Sequence, residues 1–81
     1  MKDAICELIG RHVAAQRLRR GMTQEEVAGL SGISRQALSE IERGQAPRWE
    51  TIYAIATVLG CEVWDLIPTL KQVRIRHAVD G

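Results

Sequence analysis

Phenylalanine is missing from this chain of 81 residues, and its aromatic side chains are Trp49, Tyr53 and Trp64. A platform that stacks the bases of a single strand wants more rings at regular spacing. Cys6 and Cys61 are the only cysteines. They form neither a disulfide framework nor a metal-ligand spacing, so free thiols in a reducing compartment are expected, as small hydrophobes or as redox sensors. No apolar run approaches the ~18 residues that cross a bilayer. The opening MKDAICELIG carries Asp3 and Glu7 where a secretory signal would need an apolar core. The expectation is therefore a cytoplasmic protein with no membrane partner. An excess of one charge is lacking too. Eleven Lys+Arg against ten Asp+Glu leave +1, which disfavours binding to nucleic acid by charge alone. His12 and His77 have no carboxylate or cysteine at ligand spacing, and neither a Gly-rich phosphate loop nor a nucleophilic constellation is present. Neither an enzyme nor a cofactor or metal site is expected. A chain of this length makes one small domain with a marginal core, a size that favours a dimer.

What the chain does have is helix punctuation. Between residues 2 and 20 only Gly10 weakens a helix, and Ile5, Leu8, Ile9, Val13 and the stem of Arg17 form an amphipathic stripe that Gly21 ends. Thr23 followed by Glu26 reads as a capping box that opens a second helix, with Val27, Ala28 and Leu30 apolar and Gly32 as its stop. Ser34 is the next N-cap, and Leu38 and Ile41 follow at helical spacing before Gly44. Pro47 opens a fourth helix with the stripe Trp49, Ile52, Ile55, Ala56 and Leu59. Residues 62–67 give a last short turn of helix before Pro68. Trp49 and Trp64 are expected in the core or an interface. Beyond Pro68 the pattern changes to period two, with Val73, Ile75 and Val79 apolar and Arg74 and Arg76 between them. That reads as a short strand. A lone strand pairs with a second copy or stays disordered; a helical, partner-binding segment is the remaining alternative. The domain division expected is 1–68 for the helical domain and 69–81 for a tail with a dimerisation role through Val73, Ile75 and Val79.

Charge is segregated. Residues 1–22 carry five basic and two acidic side chains, whereas residues 45–67 carry Arg48 against Glu50, Glu62 and Asp65. The tail is basic again.

Residues 24–43 are the informative stretch: two short helices joined by Gly32-Ile33-Ser34. A helix-turn-helix needs a small residue where the helices cross, and Ala28 is one. It needs a residue tolerant of a left-handed backbone at the joint, and Gly32 is one. It needs apolar anchors, which Val27, Ile33, Leu38 and Ile41 supply. Arg35 and Gln36 are then left at the exposed N-terminal end, the end that enters a major groove. A generic helical hairpin explains neither the Ala–Gly spacing nor that exposed pair.

Arg17, the run from Gly21 to Ala28 (GMTQEEVA), Gly32 to Leu38 (GISRQAL), Ile41 to Gly44 (IERG), Pro47, Leu59-Gly60 and Trp64-Asp65-Leu66 together resemble the Cro/C1-type helix-turn-helix regulators. The resemblance spans roughly residues 9–67. It implies an all-α, compact five-helix lambda-repressor-like domain that binds double-stranded operator DNA as a homodimer, usually as a repressor. It implies a bacterial or phage origin beside the nucleoid.

Carried over residue by residue, Gln24 would touch the DNA backbone and buttress the second helix of the motif. The caps Thr23 and Ser34 belong to the same DNA-facing set. Arg35 and Gln36 match base-reading positions, with Arg suited to guanine and Gln to adenine. Ser39 and Glu40 lie one turn on. Glu40 departs from the common pattern and either accepts from a cytosine amino group or is held off the DNA. Arg43 and Gln45 would hold phosphates. Arg48 stands where the family often has Ser; it is either a DNA contact or a solvated charge. Arg17 and Glu42 match a partly buried ion pair. Arg19 and Arg20 read as a solvated patch. Two alternatives remain beside the repressor: the antitoxin of a toxin–antitoxin pair, with a toxin as second partner, and the controller protein of a restriction–modification system. With the DNA-binding fold filling the chain up to the tail, no separate effector domain is expected.

Overall fold

A computed structural model describes residues 3–68. The tail 69–81, with Val73, Ile75 and Val79 and the strand expected there, lies outside the described residues.

Four α-helices follow one another: α1 (Ala4–Arg19), α2 (Gln24–Ser31), α3 (Arg35–Glu42) and α4 (Trp49–Leu59). The first three start where a side chain satisfies free N–H groups. The Asp3 carboxylate accepts from the Ile5 amide at 2.7 Å at the start of α1. Thr23 and Glu26 close a reciprocal capping box on α2, and the Ser34 hydroxyl accepts from the Ala37 amide on α3. Only α4 begins without such a bond, because Arg48 stands at its cap. Helices α2 and α4 stop at Gly32 (φ 78°) and Gly60 (φ 67°), both in the left-handed region where a Cβ is disfavoured.

The fifth helix expected from the sequence is a single 3-10 turn, Val63–Asp65. Glu62 caps it, its amide donating to the Asp65 carboxylate at 2.9 Å. Between the left-handed Gly60 and Pro68 there is no length for an α-helix to propagate. The described residues are thus all-helical, with four α-helices rather than five and no strand.

The core gathers Ile9 and Val13 from α1, Val27 and Ala28 from α2, Leu38 and Ile41 from α3, Ile52, Ile55, Ala56 and Leu59 from α4, and Leu66. Helix α2 packs on α3 and α4, and α1 crosses behind α3. Several apolar residues stay outside: Leu30, Ile5 and, against expectation for a core position, Trp49 and Trp64, 75% and 68% exposed. At 100° per residue the buried stripe of α4 centres on Ile52, Ile55, Ala56 and Leu59. Trp49 and Tyr53 lie on its flank.

Two long-range hydrogen bonds tie the ends of the bundle. His12 Nδ1 donates to the Leu66 carbonyl at 2.9 Å and pins the 3-10 turn to α1. Arg20 Nη2 donates to the Gly60 carbonyl at 3.2 Å. Arg20 is therefore a partner for the C-terminal carbonyls of α4, not the purely solvated charge expected.

Candidate nucleic-acid interface

The turn between α2 and α3 is built from three residues. Gly32 leaves α2 with a positive φ, Ile33 donates its amide back to the Ala28 carbonyl at 3.0 Å, and Ser34 caps α3. Ala28, 1% exposed, sits in the crossing of α2 over its neighbours. Val27, Leu38 and Ile41 are buried and Ile33 is half-buried, so the anchors expected from spacing do anchor the turn.

One ion pair fixes the back of α3. Arg17 Nε donates to Glu42 Oε2 at 2.7 Å and Arg17 Nη2 to Glu42 Oε1 at 3.1 Å, a bidentate fork. Arg17 Nη1 donates to the Met22 carbonyl at 2.9 Å, and Gln24 Nε2 donates to Glu42 Oε1 at 3.0 Å. The two charged side chains are only 13% and 8% exposed, and every nitrogen of the guanidinium and both oxygens of the carboxylate are hydrogen-bonded. The clamp joins α1, the start of α2 and the end of α3. The buttressing expected of Gln24 takes the form of this bond to Glu42.

Gly10 is the second fastener. A Cβ built on it would lie 2.4 Å from the Ile41 carbonyl oxygen and 2.7 Å from that of Glu42. The backbones of α1 and α3 therefore touch here, and only glycine permits it. In the sequence Gly10 was merely a weak spot in a helix; a glycine retained inside an amphipathic helix was the signal available.

With its back held, α3 turns the other side to solvent. Arg35, Gln36 and Glu40 are exposed and Ser39 is half-buried. Two depressions flank it. An open cleft of about 640 Å³ brings Arg35 together with Thr23, Gln24, Glu25 and Arg17. A smaller one of about 310 Å³ joins Glu40, Gln45 and Arg48 with Ala37 and Thr51. Of the positions singled out in the sequence, Thr23, Gln24 and Arg35 gather in the first depression and Glu40, Gln45 and Arg48 in the second, while Ser34, Gln36, Ser39 and Arg43 line neither. Arg43 is exposed at the end of the helix, its Nε donating to the Ser39 carbonyl at 3.3 Å. Thr23 and Ser34 are exposed, yet their hydroxyl oxygens already accept cap bonds.

Few titrations are perturbed. The Thr23 backbone and side-chain bonds hold the Glu26 carboxyl below the usual carboxylate range. Burial pushes the Cys61 thiol up, and Asp65 adds to that, so this cysteine behaves as a small hydrophobe more than a reactive thiolate. Among the described residues no three His, Cys, Asp or Glu side chains gather as a metal site, and no helix is long and apolar enough to cross a membrane.

Comparison with known proteins agrees with this geometry. Residues 13–63 match the helix-turn-helix family model. The uncharacterized HTH-type transcriptional regulator y4dJ of Sinorhizobium fredii is 42% identical over 62 residues, 75% of this chain and 80% of that protein. The restriction-modification controller protein C.AhdI from Aeromonas hydrophila superposes with a TM-score of 0.76 at 32% identity, covering 80% of this chain and 100% of its own. The P22 c2 repressor protein, solved in complex with a synthetic operator, gives 0.71 at 27% identity over 75% of this chain and 94% of its own. With a turn, a clamped second helix and a family match that coincide on the same residues, the chain belongs to the helix-turn-helix family of Cro/C1-type transcriptional regulators and is not an enzyme.

Proposed function

We propose that this protein is a sequence-specific repressor that reads the major groove of operator DNA with α3, working as a homodimer. The observation that carries the reading is the presentation of Arg35 and Gln36. Both are exposed in the first turn of a helix whose buried side is fixed by Leu38 and Ile41 and whose last turn is fixed by Glu42. A rigidly held helix with Arg and Gln at its exposed N-terminal end suits bidentate contacts to guanine and adenine edges. The flanking clusters suit the two phosphate backbones. Arg17 is committed to Glu42, so Thr23, Gln24 and the first amides of α2 serve one strand. Arg43, Gln45 and Arg48 serve the other. Glu40, beside Gln45 and Arg48, is an acceptor for a cytosine amino group. The P22 c2 repressor, solved in complex with a synthetic operator, supports operator DNA as the partner. Two copies would set their α3 helices ~34 Å apart on a near-palindromic site, with Val73, Ile75 and Val79 pairing the two tails across the twofold axis.

Selection of bound sequences from random DNA tests this, followed by Arg35→Ala and Gln45→Ala. The first should cost ~1–3 kcal/mol at one base pair of each half-site, and the second should weaken all sequences alike. Wild-type discrimination in Arg35→Ala would remove α3 from the base-reading role. The likeness to C.AhdI, over 80% of this chain and 100% of that one, favours one second reading, a controller of restriction–modification genes. Nuclease and methylase genes beside this one would decide for it.

A further inference from the structure

Beside the cluster of Glu40, Gln45 and Arg48, with which it shares Ala46 and Pro47, an apolar groove of about 270 Å³ lies between α1, α4 and the 3-10 turn, lined among others by Cys6, Trp49, Tyr53, Val63 and Ile67. Trp49, Tyr53 and Ile67 are exposed along it. So much apolar surface in one place marks an interaction site more than chance exposure. We infer that its occupant is the tail of a second copy, residues 69–81, laid across the groove with Val73, Ile75 and Val79 toward Trp49, Tyr53 and Ile67. The inference rests on the homodimer proposed above and assigns the surface on which the exchanged tail docks.

Charge chooses this occupant. The elements that wall the groove carry Asp3, Glu7, Glu50, Glu62 and Asp65 against Arg11, Arg19 and Arg48, with Arg17 already paired to Glu42. The tail carries Lys71, Arg74 and Arg76 against Asp80. Packing groove on groove would bring two acidic rims together, whereas the tail brings the opposite sign. Periodicity agrees, since in an extended tail Val73, Ile75 and Val79 would share one face, with His77 between them, and Arg74 and Arg76 the other. Length agrees as well. Thirteen extended residues reach up to ~43 Å at ~3.3 Å each, and they start one residue beyond Ile67, itself a lining residue. The backbone decides for the second copy over the same chain. The N–H and C=O groups of the helical walls are spent within the helices, and the described residues hold no strand. A tail laid down alone would keep its own row unpaired, but two tails crossing at a twofold axis pair with each other, and each then runs on to the other copy's groove.

The native Cys6 in the groove reports on this directly. In a full-length Cys61→Ser background, Val73→Cys, Ile75→Cys, Val79→Cys and Arg74→Cys are made one at a time and mildly oxidised. The inference expects covalent dimers through Cys6 from at least one of the three apolar-face variants, in several-fold excess over Arg74→Cys. An intrachain bond, seen as a compact monomer on a non-reducing gel, would overturn it in favour of the chain's own tail. So would equal yields from both faces. Light scattering on the reduced proteins separates the remaining failures: no cross-link in a molecule that is still dimeric overturns the groove assignment alone, and a monomer overturns the homodimer with it.

Discussion

Helix α1 meets two neighbours in opposite ways. Against α3 it makes a close seam: backbone on backbone at Gly10, and a bidentate Arg17–Glu42 pair to which the Met22 carbonyl and the Gln24 amide add one bond each. Against α4 and the 3-10 turn it leaves an apolar groove with Trp49 and Tyr53 in solvent. The first contact holds the helix that would read DNA, where a displacement of an ångström would ruin bidentate geometry. The second is built like half of an interface. A small regulator can thus keep its reading head rigid within one chain and leave its other side for assembly.

The comparison breaks most sharply at Glu42. Glu42→Ala would strand the Arg17 guanidinium, 13% exposed, without its carboxylate. Removing one partner of such a pair costs about 3–5 kcal/mol, while replacing both with apolar residues of similar volume is often near neutral. Urea unfolding should show that loss for Glu42→Ala and a large recovery in Arg17→Met combined with Glu42→Met. An equal loss in both would mean that shape, not the charge pair, holds the seam. Gly10→Ala comes next. Its methyl would meet carbonyl oxygens of α3 that cannot swing away, so the helices must part. Overpacking of this kind costs about 1–3 kcal/mol, and operator affinity should fall with it because α3 moves. A neutral Gly10→Ala would show the seam to be yielding.

The parts legible in the sequence are those decided within a few residues. Thr23 with Glu26, Ser34, Gly32 and Gly60 announce their roles by local hydrogen bonding and backbone freedom, and the structure places each as expected. The Arg17–Glu42 pair came only through the family resemblance, since 25 residues separate the partners. Gly10, His12 with Leu66, and Arg20 with Gly60 depend on which helices become neighbours, and periodicity does not say that. Trp49 shows the same limit from another side. Spacing put it on the apolar stripe of α4, but the width of the stripe that gets covered is set by how α1 and α2 pack. The last turn illustrates competition: helix-compatible residues at 62–67 yield a 3-10 turn because Glu62 and Asp65 cap each other before Pro68.

On the groove side the expected effect is smaller and of opposite sign. Helix α4 starts at Arg48 with no side-chain cap, whereas α2 and α3 have theirs. Arg48→Ser should stabilise the fold by about 1 kcal/mol through a new cap. The same change tests the place given to Arg48 on the DNA. A phosphate contact predicts weaker binding to all sequences and a salt dependence shallower by about one ion; unchanged binding would make the arginine a solvated charge.

The smallest effect concerns Glu26, at the DNA-facing end of the rigid half. Bonds from Thr23 lower its carboxyl in the folded protein. In an unstructured chain a glutamate titrates near ~4.3. A group with a depressed folded value contributes stability above the unfolded value, and loses it as pH falls through the folded one. Glu26→Gln keeps an oxygen that can accept from the Thr23 amide but does not titrate. The stability difference between the native protein and Glu26→Gln should therefore be constant from neutrality down to about the unfolded value. Below that it should shift against the native protein until the carboxyl is fully protonated. Contributions common to both proteins cancel in the difference. Urea midpoints for the pair across the acid range measure it. A flat difference would mean that the Thr23–Glu26 box orders the start of α2 without drawing on the charge of Glu26.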